Sequence, residues 1–180
     1  MSGGGDIQAL VNYYARAGYA RHIQTVCVEV LRKRTGDPTL QFWRTFGMIL
    51  EGSYSEAIMQ LEGLMGNREI ELACVAACIH AHKMAKVVDE ESVGDLEERM
   101  ESEESGASEH ALVQCATFYA LVGGAEAWRA QSMAERVLQM SPNHRQARTL
   151  LGWIELGGGS GGGDDGRKVR RDGRILQPGG

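Results

Sequence analysis

The sequence predicts an all-α fold, a right-handed α-solenoid of about four helical hairpins followed by one further helix. Apolar residues recur three and four positions apart through most of residues 6–156, which is the period of an amphipathic helix. Glycines and capping residues divide this pattern into segments of helix length. The chain has only three prolines and 6% aromatic residues, a composition that favours helices over a β-sandwich.

Residues 42–64 show one hairpin most clearly. Trp43, Phe46 and Leu50 stand three and four apart, so they predict one apolar stripe on a first helix. Gly47 lies on that stripe and leaves room for a second helix to approach. Gly52 is expected to end the first helix. Such a hairpin cannot bury its apolar face alone, so neighbours of the same kind are expected.

The second half of this unit begins at a Gly-x-Tyr turn that includes Tyr54. Ser53 and Glu56 have the spacing of a capping box, which predicts a helix start. This helix has an apolar stripe of its own, formed by Ala57, Ile58, Leu61 and Leu64. The whole order is typical of a tetratricopeptide repeat, although Gly47 and Gly52 stand two residues closer than usual, which predicts a clipped first helix or turn.

An earlier hairpin precedes it. Residues 1–5 are expected to be flexible, and Asp6 is predicted to cap a helix that ends at Gly18. The stripe of that helix comprises Ile7, Leu10, Tyr13, Tyr14 and Ala17. Its partner carries Ile23, Val26, Cys27, Val30 and Leu31. Gly36 ends the partner, and Asp37 followed by Pro38 predicts the capped start of the helix that contains Trp43.

The third unit combines an apolar helix with an acidic segment. Residues 70–84 predict a helix that is apolar on most sides, as expected between packed neighbours. Residues 89–109 then carry ten acidic residues against Arg99. Val93, Leu96 and Met100 favour a short amphipathic helix within residues 87–108, and the alternative is an inserted disordered loop. Residues 102–108 are expected to be loop in both interpretations.

A fourth unit and a single helix complete the pattern. Residues 111–121 predict a first helix, and Gly123 and Gly124 a turn. The second helix has the spacings of the repeat at Ala130, Ala134, Val137 and Pro142. Asn143 is predicted to cap the last helix. Residues 157–180 are Gly-rich and are expected to be a flexible tail, so the solenoid resembles the first part of a longer chain.

Charge and hydropathy restrict the class of function. The net charge is −5, and outside the acidic segment the chain is nearly neutral, which argues against a nucleic-acid-binding protein. The chain lacks an apolar run long enough to span a membrane and lacks a signal peptide, so a cytoplasmic protein without direct membrane insertion is expected. The four cysteines lie on apolar stripes and are interpreted as core residues.

The sequence lacks a recognisable catalytic or metal site. Cys74 and Cys78 share one face of a helix, whereas His80 and His82 point about 200° apart and cannot join one tetrahedral ion. Neither a nucleophile motif nor a phosphate-binding loop is present, so we expect a non-enzymatic protein without cofactors. Asn12, Arg16 and Arg44 are the only polar groups comparable to the carboxylate clamp of co-chaperones, and they are weak candidates for partner contact.

Several short segments together resemble the N-terminal part of the tetratricopeptide repeat protein 21 family. They are LVNYY (10–14), GYARH (18–22), GDP (36–38), Phe42 with Gly47 and Glu51-Gly52, IHAHKM (79–84) and EHAL (109–112). The resemblance implies a scaffold subunit of intraflagellar transport complex A, located in cilia and at the basal body, that contacts other protein subunits. Such a subunit supports retrograde transport and entry of cargo into cilia. A co-chaperone or peptide-binding adaptor with the same fold is the alternative.

Overall fold

A computed structural model describes residues 3–157, and every regular element within that range is helical. The helices are α1 (Gly3–Arg16), α2 (Ala20–Leu31), α3 (Pro38–Leu50), α4 (Tyr54–Leu64), α5 (Glu71–Met84), α6 (Glu90–Ser105), α7 (Glu109–Val122), α8 (Trp128–Met140) and α9 (Arg145–Glu155), with a short 3-10 turn at Gly124–Glu126. Consecutive helices pack on one another from α1 to α6 and again from α7 to α9, and each odd-numbered helix also contacts the next odd-numbered one. The predicted all-α solenoid is confirmed.

The helices form two layers. Helices α3, α5 and α7 have eight, nine and ten buried residues, so they are covered on nearly all sides. Helices α2, α4 and α6 have two each, and α8 has four, so each of these packs through one narrow face. The odd-numbered helices therefore form the inner layer and the even-numbered ones the outer layer.

The inner layer closes on itself through aromatic side chains. The Phe118 ring on α7 lies 6.3 Å from Phe42 and 5.9 Å from Phe46, both on α3. Trp43 Nε1 donates a hydrogen bond of 3.1 Å to Gln114 Oε1, again joining α3 to α7. Helix α1 also contacts α7. The inner face is thus largely filled by a core, where an open solenoid would have a groove.

The local signals at the α2–α3 and α3–α4 turns act as predicted. The Asp37 carboxylate accepts hydrogen bonds from the backbone N–H groups of Thr39, at 3.0 Å, and Leu40, at 3.2 Å. Gly52 has a φ of +83° and closes α3 in a Schellman motif, in which Ser53 N–H donates to the Met48 carbonyl at 3.0 Å.

Gly47 is where α2 approaches α3. A Cβ atom at this position would lie 2.8 Å from Gln24 Cγ and 3.0 Å from the Ala20 carbonyl oxygen. The approach is held by Glu51, whose carboxylate accepts hydrogen bonds from Arg21 at 2.9 Å and from Gln24 at 2.7 Å. The absence of a side chain at Gly47 therefore makes room for the preceding helix, α2, and not for the second helix of its own hairpin.

The first helix differs from its prediction. It begins at Gly3, so Asp6 is not its N-cap and instead lies in the first turn, where its charge complements the helix dipole. Residues 3–5, expected to be flexible, are helical. Val11 is fully buried, whereas Leu10 and Tyr13 are 41% and 61% exposed. Helix α1 lies at the edge of the inner layer against α2, α3 and α7, and Val11 is the one described side chain of this helix that is fully buried.

Three further details of the sequence prediction were wrong. Ser53 precedes α4 but its side chain makes no capping hydrogen bond, because its ψ of 58° lies outside the extended region that an N-cap residue uses. His144, and not Asn143, caps α9, with Nδ1 accepting from Ala147 N–H at 3.3 Å. Leu50 is 40% exposed, since α3 ends there and its side chain lies beyond the packed stripe.

The acidic segment is helical over a longer range than expected. Helix α6 runs to Ser105, so residues 102–105 are helix and the disordered-loop interpretation is wrong. Val93 and Met100 are buried seven positions apart, and Arg99 and Lys83 form ion pairs with Glu71 and Glu97 across the α5–α6 contact. These contacts to α5 offset the low apolar content of the helix.

The residues that defined the repeat occupy different environments. Those buried in the core are Trp43, Phe46, Gly47, Ala57, Leu61 and Ala130. Tyr54 is half-buried at the start of α4, and Pro142 is exposed just after α8. The predicted flexible tail of residues 157–180 lies outside the described residues except for Gly157.

Replacing Trp43 by Ala should lower the free energy of unfolding by about 3–5 kcal/mol, because the side chain is 1% exposed and its ring joins α3 to α7. Urea denaturation followed by circular dichroism measures this. Trp128→Ala is the matched control, since that side chain is 62% exposed and its loss should change stability by less than about 0.5 kcal/mol. Equal effects would show that Trp43 is not a core residue.

Gly47→Ala should destabilise the protein by about 1–3 kcal/mol, because the new methyl group would meet the Ala20 carbonyl, which cannot move without shifting α2. Gly94→Ala should act in the opposite direction and stabilise by up to about 1 kcal/mol, since nothing lies within 4 Å of its added Cβ in α6. Thermal melts of the two variants test the difference in sign. A neutral Gly47→Ala variant would contradict the close α2–α3 approach.

Candidate functional site

A cleft of about 620 Å³ opens where the inner layer is not filled, between α1, α7 and α9. Its floor is formed by α7 at Val113, Gln114 and Thr117. One wall is the face of α1 that carries Gln8, Asn12 and Arg16, and the other is the face of α9 that carries Arg145, Thr149 and Trp153. The first, fourth and fifth units therefore meet at one surface.

The walls are held together by an Arg–Trp contact. The Arg16 guanidinium carbon lies 4.1 Å from the centroid of the Trp153 ring, within the range of a cation–π interaction. On the same wall, Gln8 Nε2 donates a hydrogen bond of 2.9 Å to Asn12 Oδ1. The first contact joins α1 to α9, and the second joins two polar side chains within α1.

The three predicted partner-contact residues are not brought together. Asn12 and Arg16 line the cleft, whereas Arg44 lines a separate depression of about 460 Å³ between α3, α4 and the turn after α2. Arg44 therefore cannot act with Asn12 on one ligand group. The arrangement of a carboxylate clamp on successive first helices is not formed by these residues.

Sequence reasoning missed the residues that complete the cleft. Gln114 is 4% exposed within the buried, mostly apolar residues of α7. A polar residue in such a helix is the sequence feature that could have indicated its place in the cleft. Arg145 and Trp153 had no such signal, because their place beside α1 depends on closure of the inner layer. The spacing of residues in the sequence does not predict that α1 and α3 pack against α7 to close the inner layer.

The cysteines have the environment of core residues. Cys27, Cys74, Cys78 and Cys115 are all free and buried. Burial raises the pKa of the Cys27 and Cys78 thiols to about 12. The pKa values of Cys74 and Cys115 are also raised by burial. Such thiols are protonated near neutral pH, so they are poor nucleophiles and poor metal ligands.

The His80 side chain also faces the core. Its ring lies 6.1 Å from Phe118, and burial lowers the pKa of its imidazole. Across residues 3–157, no three His, Cys, Asp or Glu side chains are placed so that they could share a metal ion. In that same part of the chain, none of the helices has the length and apolar character needed to cross a bilayer.

Together, the paired helices and the shared inner layer define a helical-repeat protein. A family model described as tetratricopeptide repeat protein 21 N-terminal ARM repeat matches residues 11–169, and the chain belongs to this family. The predicted resemblance to this family is confirmed.

Curated relatives carry the same family name. The chain is 33% identical over 150 residues to tetratricopeptide repeat protein 21B of Xenopus laevis, which covers 83% of the chain. It is 27% identical to the human 21B protein and 29% identical to the human 21A protein, each over 151 residues and 84% of the chain. In every case the match spans 11% of the relative's length, so the chain corresponds to a small part of these relatives.

The four thiols should react slowly with Ellman's reagent in the native protein and rapidly in denaturant. At pH 8 a thiol whose pKa is about 12 is only about 0.01% thiolate, and burial also blocks access of the reagent. The absorbance change with and without guanidinium chloride measures this. One thiol that reacts within seconds in the native state would contradict the core assignment and reopen a catalytic role for cysteine.

Proposed function

We propose that the chain is a non-catalytic scaffold that contacts other protein subunits, as part of intraflagellar transport complex A in cilia and at the basal body. Membership of the tetratricopeptide repeat protein 21 family is the observation that carries this proposal. The ciliary setting follows from the family resemblance.

The architecture supports a role in binding rather than in chemistry. The inner aromatic contacts join helices that are far apart in the sequence, and a scaffold needs such rigidity to hold partners in a defined geometry. The buried thiols and the His80 ring are used for packing. Within residues 3–157, the outer helices and the cleft between α1, α7 and α9 offer surface for partner contacts.

The outer layer offers apolar side chains for subunit contacts. Met59 on α4 and Trp128 on α8 are 66% and 62% exposed. Large exposed residues of these types are enriched where proteins bind one another. They lie on outer helices, where a partner could reach them without opening the inner layer.

A peptide-binding adaptor is the second candidate, and the cleft is the observation that favours it. Asn12 and Arg16 line a concave surface of the size that binds extended ligands. The co-chaperone form of this hypothesis is weakened, because Arg44 lies in a different depression.

The test is a pull-down of the tagged chain from ciliated cells, with bound proteins identified by mass spectrometry. We expect subunits of the transport complex to be enriched over a tag-only control and to be lost with Trp43→Ala, which disrupts the fold. Recovery of no transport subunit would remove the ciliary part of the proposal. Recovery of chaperones alone would favour the co-chaperone hypothesis.

A further inference from the structure

The floor of the cleft presents an unused hydrogen-bond donor. Trp43 Nε1 can only donate, so the Gln114 oxygen must face it, and the Gln114 NH₂ group lies on the other side of that amide. The side chain is 4% exposed, and no partner for this NH₂ group is found among residues 3–157. The Gln114 NH₂ group retains access to solvent within the cleft, so a ligand acceptor at this position would replace water at this donor.

The α1 wall adds a second donor. Because Asn12 Oδ1 accepts the hydrogen bond from Gln8, the Asn12 NH₂ group is left to face a ligand. Its residue lines the same cleft as Gln114. The polar groups of the floor and of this wall therefore favour an acceptor such as a carboxylate.

Two arginines give the cleft its charge. Within the described part of the chain, neither Arg16 nor Arg145 forms an ion pair with a carboxylate, and Asp6 is the one acidic residue of the lining. Arg16 lies on Trp153, which is eight residues beyond Arg145, so the backbone positions of Arg145 and Trp153 are about 12 Å apart along the axis of α9 at 1.5 Å per residue.

We propose that this cleft binds an extended acidic segment of a partner protein, with one carboxylate near each arginine and hydrogen bonds from Gln114 and Asn12. In an extended chain, side chains four residues apart lie on the same face and about 13 Å apart, which is close to the rise along α9 from Arg145 to Trp153, where Arg16 is stacked. This proposal rests on the proposed function, because it takes the ligand to be a protein partner, and it specifies that the bound segment of that partner is acidic.

A nucleic acid is a poorer match for the same surface. Phosphates follow one another closely along a nucleic acid, and binding requires several cations along a continuous stripe. The cleft has two separated arginines and an acidic residue at Asp6. A peptide with two spaced carboxylates uses both arginines without placing further negative charge beside Asp6.

The test uses the 180-residue chain and a fluorescein-labelled peptide, SGESGSEGS, amidated at its C-terminus so that only side-chain carboxylates contribute. Fluorescence anisotropy should show saturable binding with a dissociation constant below about 1 mM. Arg145→Gln and Arg16→Gln should each weaken binding by about two- to fivefold, the upper part of the range for one accessible ion pair. Arg148→Gln is the matched control, because Arg148 is exposed on the same helix outside the cleft lining.

Three outcomes would overturn the proposal: no saturable binding, equal binding of the peptide SGQSGSQGS, or equal weakening by Arg148→Gln. Circular dichroism of each variant checks folding, and Arg145→Gln alone decides if Arg16→Gln fails to fold. The pull-down separates this inference from the proposed function. If transport subunits are recovered equally by Arg145→Gln and Arg148→Gln variants, the scaffold role stands and the cleft is not its contact site.

Discussion

The aromatic contact between α3 and α7 is the constraint on which the rest of the structure depends. Trp43 and Gln114 are separated by 71 positions in the sequence and are joined by a buried hydrogen bond, beside the packing of Phe46 against Phe118. In a simple repeat array each unit contacts only its neighbours. Here α3 and α7 meet although α5 lies between them in the order of inner helices, so the array is curled tightly enough to fill its inner face.

The composition of α5 makes this curl possible. Its buried residues are mostly small, with Ala73, Ala76 and Ala77 among them, so the helices on either side can approach one another past it. Gly47 serves the same purpose on the opposite side of α3, where it admits α2. Large aromatic and small residues thus have different packing roles. The aromatic side chains fill the inner face, and the small residues allow the helices to come close enough for those aromatic side chains to touch.

Local features were predictable from the sequence and long-range ones were not. Asp37 with Pro38, and the glycine at 52, marked helix boundaries correctly because their effects depend on backbone geometry within a few residues. Leu10 was predicted as a core residue of α1 and Val11 was not, which was wrong because the buried face of α1 depends on which helices cover it. The cleft could not be predicted, because it requires α1 to lie beside α9, and their meeting follows from closure of the whole array.

The stacking of Arg16 on Trp153 ties the first described helix to the last one. An open repeat protein can lose its terminal units one at a time, because each end is attached through a single interface. A closed arrangement gives both ends a second attachment. Separation of either described end helix then also breaks the Arg16–Trp153 contact, which favours cooperative unfolding of residues 3–157 over stepwise loss of single hairpins.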